Sequence, residues 1–119
     1  MSETSVVTGI DVAKAHVDVV VDTTPALSER YANDSEGHAA LAARLEPLAV
    51  QLVVMEATGG LEAPLACALQ AAGFAVAVVN PRQARDFARA LGRLAKTDRI
   101  DAEGLAALGR MLLTRADLA

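Results

Sequence analysis

Residues Val6 to Asp22, Val-Val-Thr-Gly-Ile-Asp-Val-Ala-Lys-Ala-His-Val-Asp-Val-Val-Val-Asp, constrain the chain more than any other stretch. They read as two strands, Val6–Val12 and Ala15–Asp22, joined by a tight turn into an antiparallel hairpin. In the second strand Val17, Val19 and Val21 face one way, and Asp18, Val20 and Asp22 the other. Asp11 lies near the end of the first strand, inside an apolar run. A buried charge must be paired, protonated or bound to metal, so a fold with this hairpin at its centre must provide for Asp11.

The rest of the chain supplies the partners. Thr23-Thr24-Pro25 breaks the second strand, and Leu27–Ala32 reads as a third. Asn33-Asp34-Ser35 offers caps for a helix over Glu36–Leu45 with Ala40, Leu41 and Leu45 inward. Val50–Ala57 is a near-continuous apolar run, as expected of a central strand covered on both faces. It ends in Thr58-Gly59-Gly60, a turn with a capping Thr. A helix over Leu61–Ala72 then packs Leu61, Leu65 and Leu69. After Gly73 come a buried strand, Phe74–Val79, and a helix opened by Asn80-Pro81 that runs to about Leu91, where Gly92 bends or ends it. Asp98 to about Thr114 forms the last helix. The order β-β-β-α-β-α-β-α-α predicts an α/β fold, a mixed sheet flanked by helices. With 119 residues, 53% of them hydrophobic, the chain has enough apolar surface for one domain with a real core. No apolar run approaches the ~20 residues of a membrane span. The single cysteine, Cys67, reads as a small core residue; it excludes an internal disulfide framework and fits a reducing cytoplasm.

Asp11 ends the first strand and Glu56 the fourth. If those strands are neighbours, the two carboxylates meet at one end of the sheet, where ligands gather when strand order switches. Either acid alone is equally well explained as a strand end reaching solvent. Thr97-Asp98-Arg99-Ile100-Asp101 adds two more acids, and both residue types suit a helix cap and first turn. Their phase argues for more. At about 100° per residue, Asp98, Asp101, Leu105, Leu108 and Leu112 fall within an arc of roughly 80°, the stripe that should pack on the sheet. Four convergent carboxylates cannot all ionise together without cations. Mg²⁺ or Mn²⁺, as two ions, is the expected solution.

The segments Gly9-Ile10-Asp11-Val12, Met55-Glu56-Ala57-Thr58-Gly59 and Lys96-Thr97-Asp98-Arg99-Ile100-Asp101-Ala102 together resemble the N-terminal DEDD domain of the RuvC-like insertion-sequence transposases, the bridge-RNA-guided recombinases. The resemblance covers nearly the whole chain. It implies a ribonuclease H-like (RuvC-like) five-stranded sheet of order 3-2-1-4-5. It implies Asp11, Glu56, Asp98 and Asp101 as the catalytic, metal-binding tetrad, acting in divalent-metal-dependent cleavage and strand transfer of DNA. DNA and a guide (bridge) RNA are the implied partners, in the cytoplasm of a bacterial or archaeal cell. Family members are longer and carry a second domain with a nucleophilic Ser. That domain is expected to be absent here, leaving residues 1–119 as the catalytic domain alone and insufficient for full recombination.

The net charge of −4 argues by itself against nucleic acid, but its distribution does not: six of the 11 basic residues lie between Arg82 and Arg99. On a continuous helix Arg82, Arg85, Arg89, Arg93 and Lys96 occupy an arc of roughly 80°. Such runs are commonly a solvated helix face. The nearly single sign and the lead into Asp98 favour phosphate contact instead. Lys14 reads as an exposed turn residue with a smaller claim on phosphate, His16 as structural, and His38 as a helix-surface residue. Thr58 with Gly59-Gly60 serves equally as a helix-capping turn or as backbone N–H donors to nucleic acid. A homo-oligomer is expected, with Ile100 and Met111 on the edge of the last helix offering an interface. Two other readings stand beside the transposase. A phosphotransferase of the sugar-kinase and actin superfamily would need a Gly/Thr-rich phosphate loop where Val12-Ala13-Lys14-Ala15 stands. A non-catalytic nucleic-acid-binding and oligomerisation module would keep its acids for structure.

Overall fold

A computed structural model describes residues 5–90, 92 and 100–118. The opening hairpin forms as its alternation requires. β1 (Val6–Val12) pairs antiparallel with β2 (His16–Val21), placing Val12 opposite Val17 and Asp11 opposite Asp18. β3 (Leu27–Ala32) adds antiparallel to β2. On the other side of β1, β4 (Val50–Glu56) pairs in parallel, and β5 (Val76–Val79) extends the sheet parallel to β4. The order is therefore β3-β2-β1-β4-β5. This mixed, ribonuclease H-like sheet is the one the family resemblance implies.

Helices cover both faces. α1 (Ser35–Leu45) and α2 (Ala63–Ala71) lie on one face, where Leu41, Leu45, Leu65 and Leu69 close over Ile10, Val12, Val17, Val19, Val53 and Met55. α3 (Pro81–Ala90) and α4 (Ala102–Leu118) lie on the other, where Ala84, Ala88, Leu105 and Leu108 meet Val7, Val54 and Val79. β1 and β4 feed both clusters, which is why their sequences are apolar at successive positions rather than alternately. Burying each such Leu or Val contributes about 1.5–3 kcal/mol, so the double-sided centre carries most of the core. No described helix is long and apolar enough to cross a membrane.

Several local expectations are corrected. α1 is capped by Asp34, whose Oδ1 accepts from Gly37 N at 2.8 Å, but Ala40 is exposed. His38 is buried, not on the surface, with its Nε2 2.7 Å from Asn33 Oδ1. α2 begins at Ala63, so Leu61 stays in the preceding turn and remains largely exposed. Cys67 is also exposed. Its helix buries Leu65, Ala66 and Leu69, and Cys67 falls roughly opposite Leu65 at about 100° per residue. β5 starts at Val76 rather than Phe74. Ile100 is buried in the α3/α4 core and precedes its helix, so it is no interface edge.

α4 fixes the geometry of the upper end of the sheet. A methyl added at Gly9 would overlap Ala102 O and Ala106 N, and one at Gly109 would meet Val7 and Val54 at 2.6 Å. Helix residue numbers thus rise as β1 numbers fall. α4 runs antiparallel to β1, and its N-terminus sits over the C-terminal ends of β1 and β4. Only glycine at position 9 allows this backbone-to-backbone approach.

Candidate metal site and nucleic-acid interface

Asp11 and Glu56 are brought together by strand register. Val7 and Gly9 meet α4, so the pleat sends Asp11 to the same face. Val54 lies on that face in β4, and Glu56 follows it by two residues. Ile10 pairs with Met55 in the parallel ladder, so Asp11 and Glu56 come next in step on adjacent strands. Strands lie about 4.8 Å apart. Both acids are half-buried. They occupy the point where the chain leaves β1 to one side for β2 and returns on the other as β4, the switch point of the sheet. An open crevice of about 450 Å³ lies beside Glu56, lined also by Val12, Ala13, Lys14, Ala57, Thr58 and Leu61.

Asp101 reaches the same end of the sheet through α4. Its role there is partly a cap: Oδ1 accepts from Gly104 N at 2.8 Å, and its carbonyl accepts from Leu105 N at 2.9 Å. It is exposed, and α4 starts only at Ala102. Ile100 and Asp101 thus precede the helix, and the expected i, i+3 pairing of Asp98 with Asp101 turns on Asp98, which lies outside the described residues. The capping bond leaves carboxylate lone pairs for a cation. Asp98, Arg93 and Lys96 fall outside the described residues. Among the described residues, no group of three or more His, Cys, Asp or Glu side chains is close enough together to hold a metal ion. The donors at this sheet end are all carboxylates, the set that suits hard divalent cations.

A fifth acid escaped the sequence reading. Asp18 stands directly across from Asp11. Its two oxygens take a fork from Arg30 on β3, Nε to Oδ1 at 2.7 Å and Nη2 to Oδ2 at 3.2 Å. The hydrogen bond from Arg30 holds the Asp18 carboxyl below the usual carboxylate range against a smaller opposing effect of burial. The signal was present in the hairpin: a tight turn that pairs Val12 with Val17 must also pair Asp11 with Asp18.

The turn after β4 is tied down internally. Thr58 N, Thr58 Oγ1 and Gly60 N all donate to Glu62 Oε1, at 2.8, 2.9 and 3.2 Å. Those bonds, led by the one from Thr58 N, lower the Glu62 pKa. The Thr58 and Gly60 N–H groups thus serve Glu62 rather than an incoming strand.

Among the described residues, α3 carries Arg82, Arg85 and Arg89 of the basic stripe, and Gly92, at φ +71°, donates to Arg89 O just beyond it. Arg89 forms an exposed pair with Asp86 at 3.3 Å, the kind worth little in water. Arg85 is half-buried, and its Nε is shielded from solvent with no acceptor among the described residues. A wider groove of about 930 Å³ runs between α1 and α2 on the opposite face, away from the acids, and touches the crevice at Lys14 and Leu61.

A family model for DEDD transposases of the IS110 group, described as a transposase, matches residues 8–117. Among solved structures, the chain is similar to T. thermophilus RuvC in complex with Holliday junction substrate. Identity is 17% and the TM-score 0.58, covering 87% of this chain and 90% of RuvC. A further Thermus thermophilus RuvC structure is 19% identical with a TM-score of 0.54, covering 76% and 73% of the two chains. Fowlpox virus resolvase in complex with Holliday junction DNA is 12% identical with a TM-score of 0.55, covering 91% and 98%. Identities this low carry the fold alone. No curated protein sequence matches the chain.

Proposed function

The chain belongs to the DEDD transposase family of the IS110 type, and on that premise we propose that residues 1–119 are its catalytic domain, cleaving and transferring DNA phosphodiesters with divalent metal ions. The observation that most supports this is the placement of Asp11 and Glu56 in step on one face of the parallel pair β1–β4, under the N-terminus of α4. Asp11, Glu56, Asp98 and Asp101 would hold two Mg²⁺ or Mn²⁺ ions. When bound, such ions activate a nucleophile and stabilise the leaving oxygen of a phosphodiester.

The chain's own residues supply position and charge. Two core strands fix Asp11 and Glu56 at strand spacing, and the first turn of α4 brings Asp101 to the same end. Arg82, Arg85 and Arg89, with Arg93 and Lys96 beyond the described helix, would contact phosphates and orient the strand. The Nε of Arg85, shielded and without an acceptor among the described residues, supports a ligand there, since a buried guanidinium N–H left unpaired is costly. RuvC and the fowlpox resolvase are seen with Holliday junction DNA, which supports DNA as the ligand class. A guide RNA as second partner, and self-association through exposed Val78 on the edge strand β5, belong to the same proposal.

One observation favours the non-catalytic reading: Asp101 Oδ1 is occupied by its own helix cap. Calorimetric titration with Mn²⁺ decides between the two. The catalytic reading expects binding heat in the wild type that is lost in Asp11→Ala and in Asp98→Ala, with both variants folded by circular dichroism. Absence of Asp11-dependent heat leaves the nucleic-acid-binding module.

A further inference from the structure

Asp11 and Asp18 are closer in kind than an ordinary cross-strand pair. Asp22 N donates to Val7 O and Ala13 N to His16 O. Hydrogen-bonded pairs alternate along an antiparallel ladder, so Asp11 and Asp18 form one, with Cα atoms about 5.5 Å apart. Their side chains leave the same face of the sheet. Like charges directly opposite repel, and a cation held by Asp11 lies within reach of a carboxylate at position 18. Left alone, Asp18 would join the cation shell.

Arg30 engages Asp18 instead. It comes from β3, directly opposite Asp18 on the side away from Asp11. Its fork takes both Asp18 oxygens. Bidentate guanidinium–carboxylate pairing fixes orientation as well as charge. The pair is exposed, with side-chain accessibilities of 62% and 39%, and exposed pairs add little to stability. Its placement next to Asp11 thus has a weak structural rationale and a strong electrostatic one.

We propose that Arg30 and Asp18 are a positioning pair for the metal site, in which Arg30 turns Asp18 away from Asp11 and keeps it out of the cation shell. The inference rests on the metal-binding reading above. Four carboxylates balance two divalent cations; a fifth, unpaired, gives the site a surplus negative charge and one more oxygen ligand. Surplus oxygen ligands favour Ca²⁺, which takes six to eight, over Mg²⁺, which demands six in near-ideal geometry.

Mn²⁺ calorimetry on Arg30→Gln, Asp18→Asn and the double variant tests it. Arg30→Gln frees a unit negative charge roughly 6 Å from a divalent cation, which at water-like permittivity tightens Mn²⁺ binding about tenfold. It also shifts the Ca²⁺-to-Mg²⁺ preference toward Ca²⁺. Asp18→Asn leaves Arg30 unpaired beside the site and weakens Mn²⁺ binding several-fold. The double variant returns to near the wild-type affinity. An ion pair that only braces the sheet would move both single variants the same way. Single variants that shift affinity in the same direction, or by less than twofold, while the wild type binds Mn²⁺ through Asp11, overturn the pair's role alone. A wild type without Asp11-dependent binding overturns both this inference and the metal-binding reading. Metal-free thermal midpoints of all three variants are expected within a few degrees of wild type.

Discussion

Gly9→Ala places a single methyl between β1 and α4. The added carbon would overlap Ala102 O and Ala106 N and stand 3.0 Å from Leu105 C. All three are backbone atoms, so no side chain can rotate aside. Ordinary carbon contacts lie near 3.5–4.0 Å, so α4 must retreat by about 1 Å. A gap of that size forfeits roughly a quarter to a half of the contact energy of the residues behind it. Leu105 and Leu108 are buried in that layer, each worth about 1.5–3 kcal/mol. The expected loss is then about 1–3 kcal/mol, which agrees with measured costs of overpacking. For a chain of 119 residues, 1 kcal/mol moves the midpoint by about 4 °C, so thermal unfolding by far-ultraviolet circular dichroism should show a fall of roughly 4–12 °C. Gly59→Ala is the control. It sits at the same end of the sheet, with φ +74° and nothing within 4 Å of the added carbon, so its cost is local strain of about 1 kcal/mol. A Gly9→Ala midpoint within about 2 °C of wild type would falsify the close-approach argument.

Asp22→Ala should destabilise more than Arg110→Met, by about 2 against about 1 kcal/mol in urea unfolding, because Asp22 Oδ1 also accepts from Val7 N at 2.8 Å and its loss strands that donor. Tyr31 is the sole tyrosine and there is no tryptophan, so absorbance of the ionised phenol reads it cleanly. Burial, then its hydrogen bond to Glu29, raise its pKa from 10.0 to about 12. A raised folded value means that its contribution is full below pH 10 and is lost as pH climbs toward 12; a native-state midpoint near 10 would contradict this. Burial pushes the His38 imidazole below its ordinary 6.5 against the opposing charge of Asp34. A depressed base stabilises the fold above pH 6.5 and loses that contribution as pH falls through its folded value. The thermal midpoint of the wild type should therefore drop on mild acidification more steeply than that of His38→Gln.

The sheet was legible in the sequence because strand periodicity carries direct information about faces. The Val17, Val19, Val21 alternation found its observed position, and the continuous Val50–Ala57 run became β4, which ends one residue earlier at Glu56. Strand order came through the family motifs, since register and neighbour choice leave no local trace when two buried strands are equally apolar. The site was half legible. Asp11 and Glu56 could be placed because strand ends are fixed by the runs before them. Asp101 was placed by helical phase, yet it precedes the helix: an Asp three residues before Gly104 is as good a cap as it is a first-turn residue, and the capping bond won. Arg30 could not be assigned to Asp18 from sequence, because that needs the register of β2 against β3 across an irregular turn. His38 and Cys67 were exchanged between core and surface for a common reason. Side-chain polarity points one way at both positions and helical phase the other, and the phase of α1 and α2 follows Leu41, Leu45, Leu65 and Leu69.

α4 is anchored at two places, and the two should not matter equally to the site. Near its start it lies against Gly9; further along, Arg110 binds Asp22 Oδ2 through Nε at 2.9 Å and Nη2 at 2.6 Å, and also donates to Ser5 O. From Ala106 to Arg110 is four residues, about 6 Å of helix. Loss of the Arg110 clasp lets the far end swing while the Gly9 contact acts as the pivot, so Asp101, one residue before the helix, moves little. Arg110→Met should therefore lower the thermal midpoint yet leave Mn²⁺ affinity within about twofold of wild type. Gly9→Ala displaces the pivot itself, and shifts of about 1 Å in a positioned group can cost on the order of 10²-fold in function. It should weaken Mn²⁺ binding at temperatures where the variant is still folded. Measuring midpoint and affinity on both variants separates stability from site geometry. Equal losses of Mn²⁺ affinity in the two would mean that α4 does not set the distance between Asp101 and Asp11.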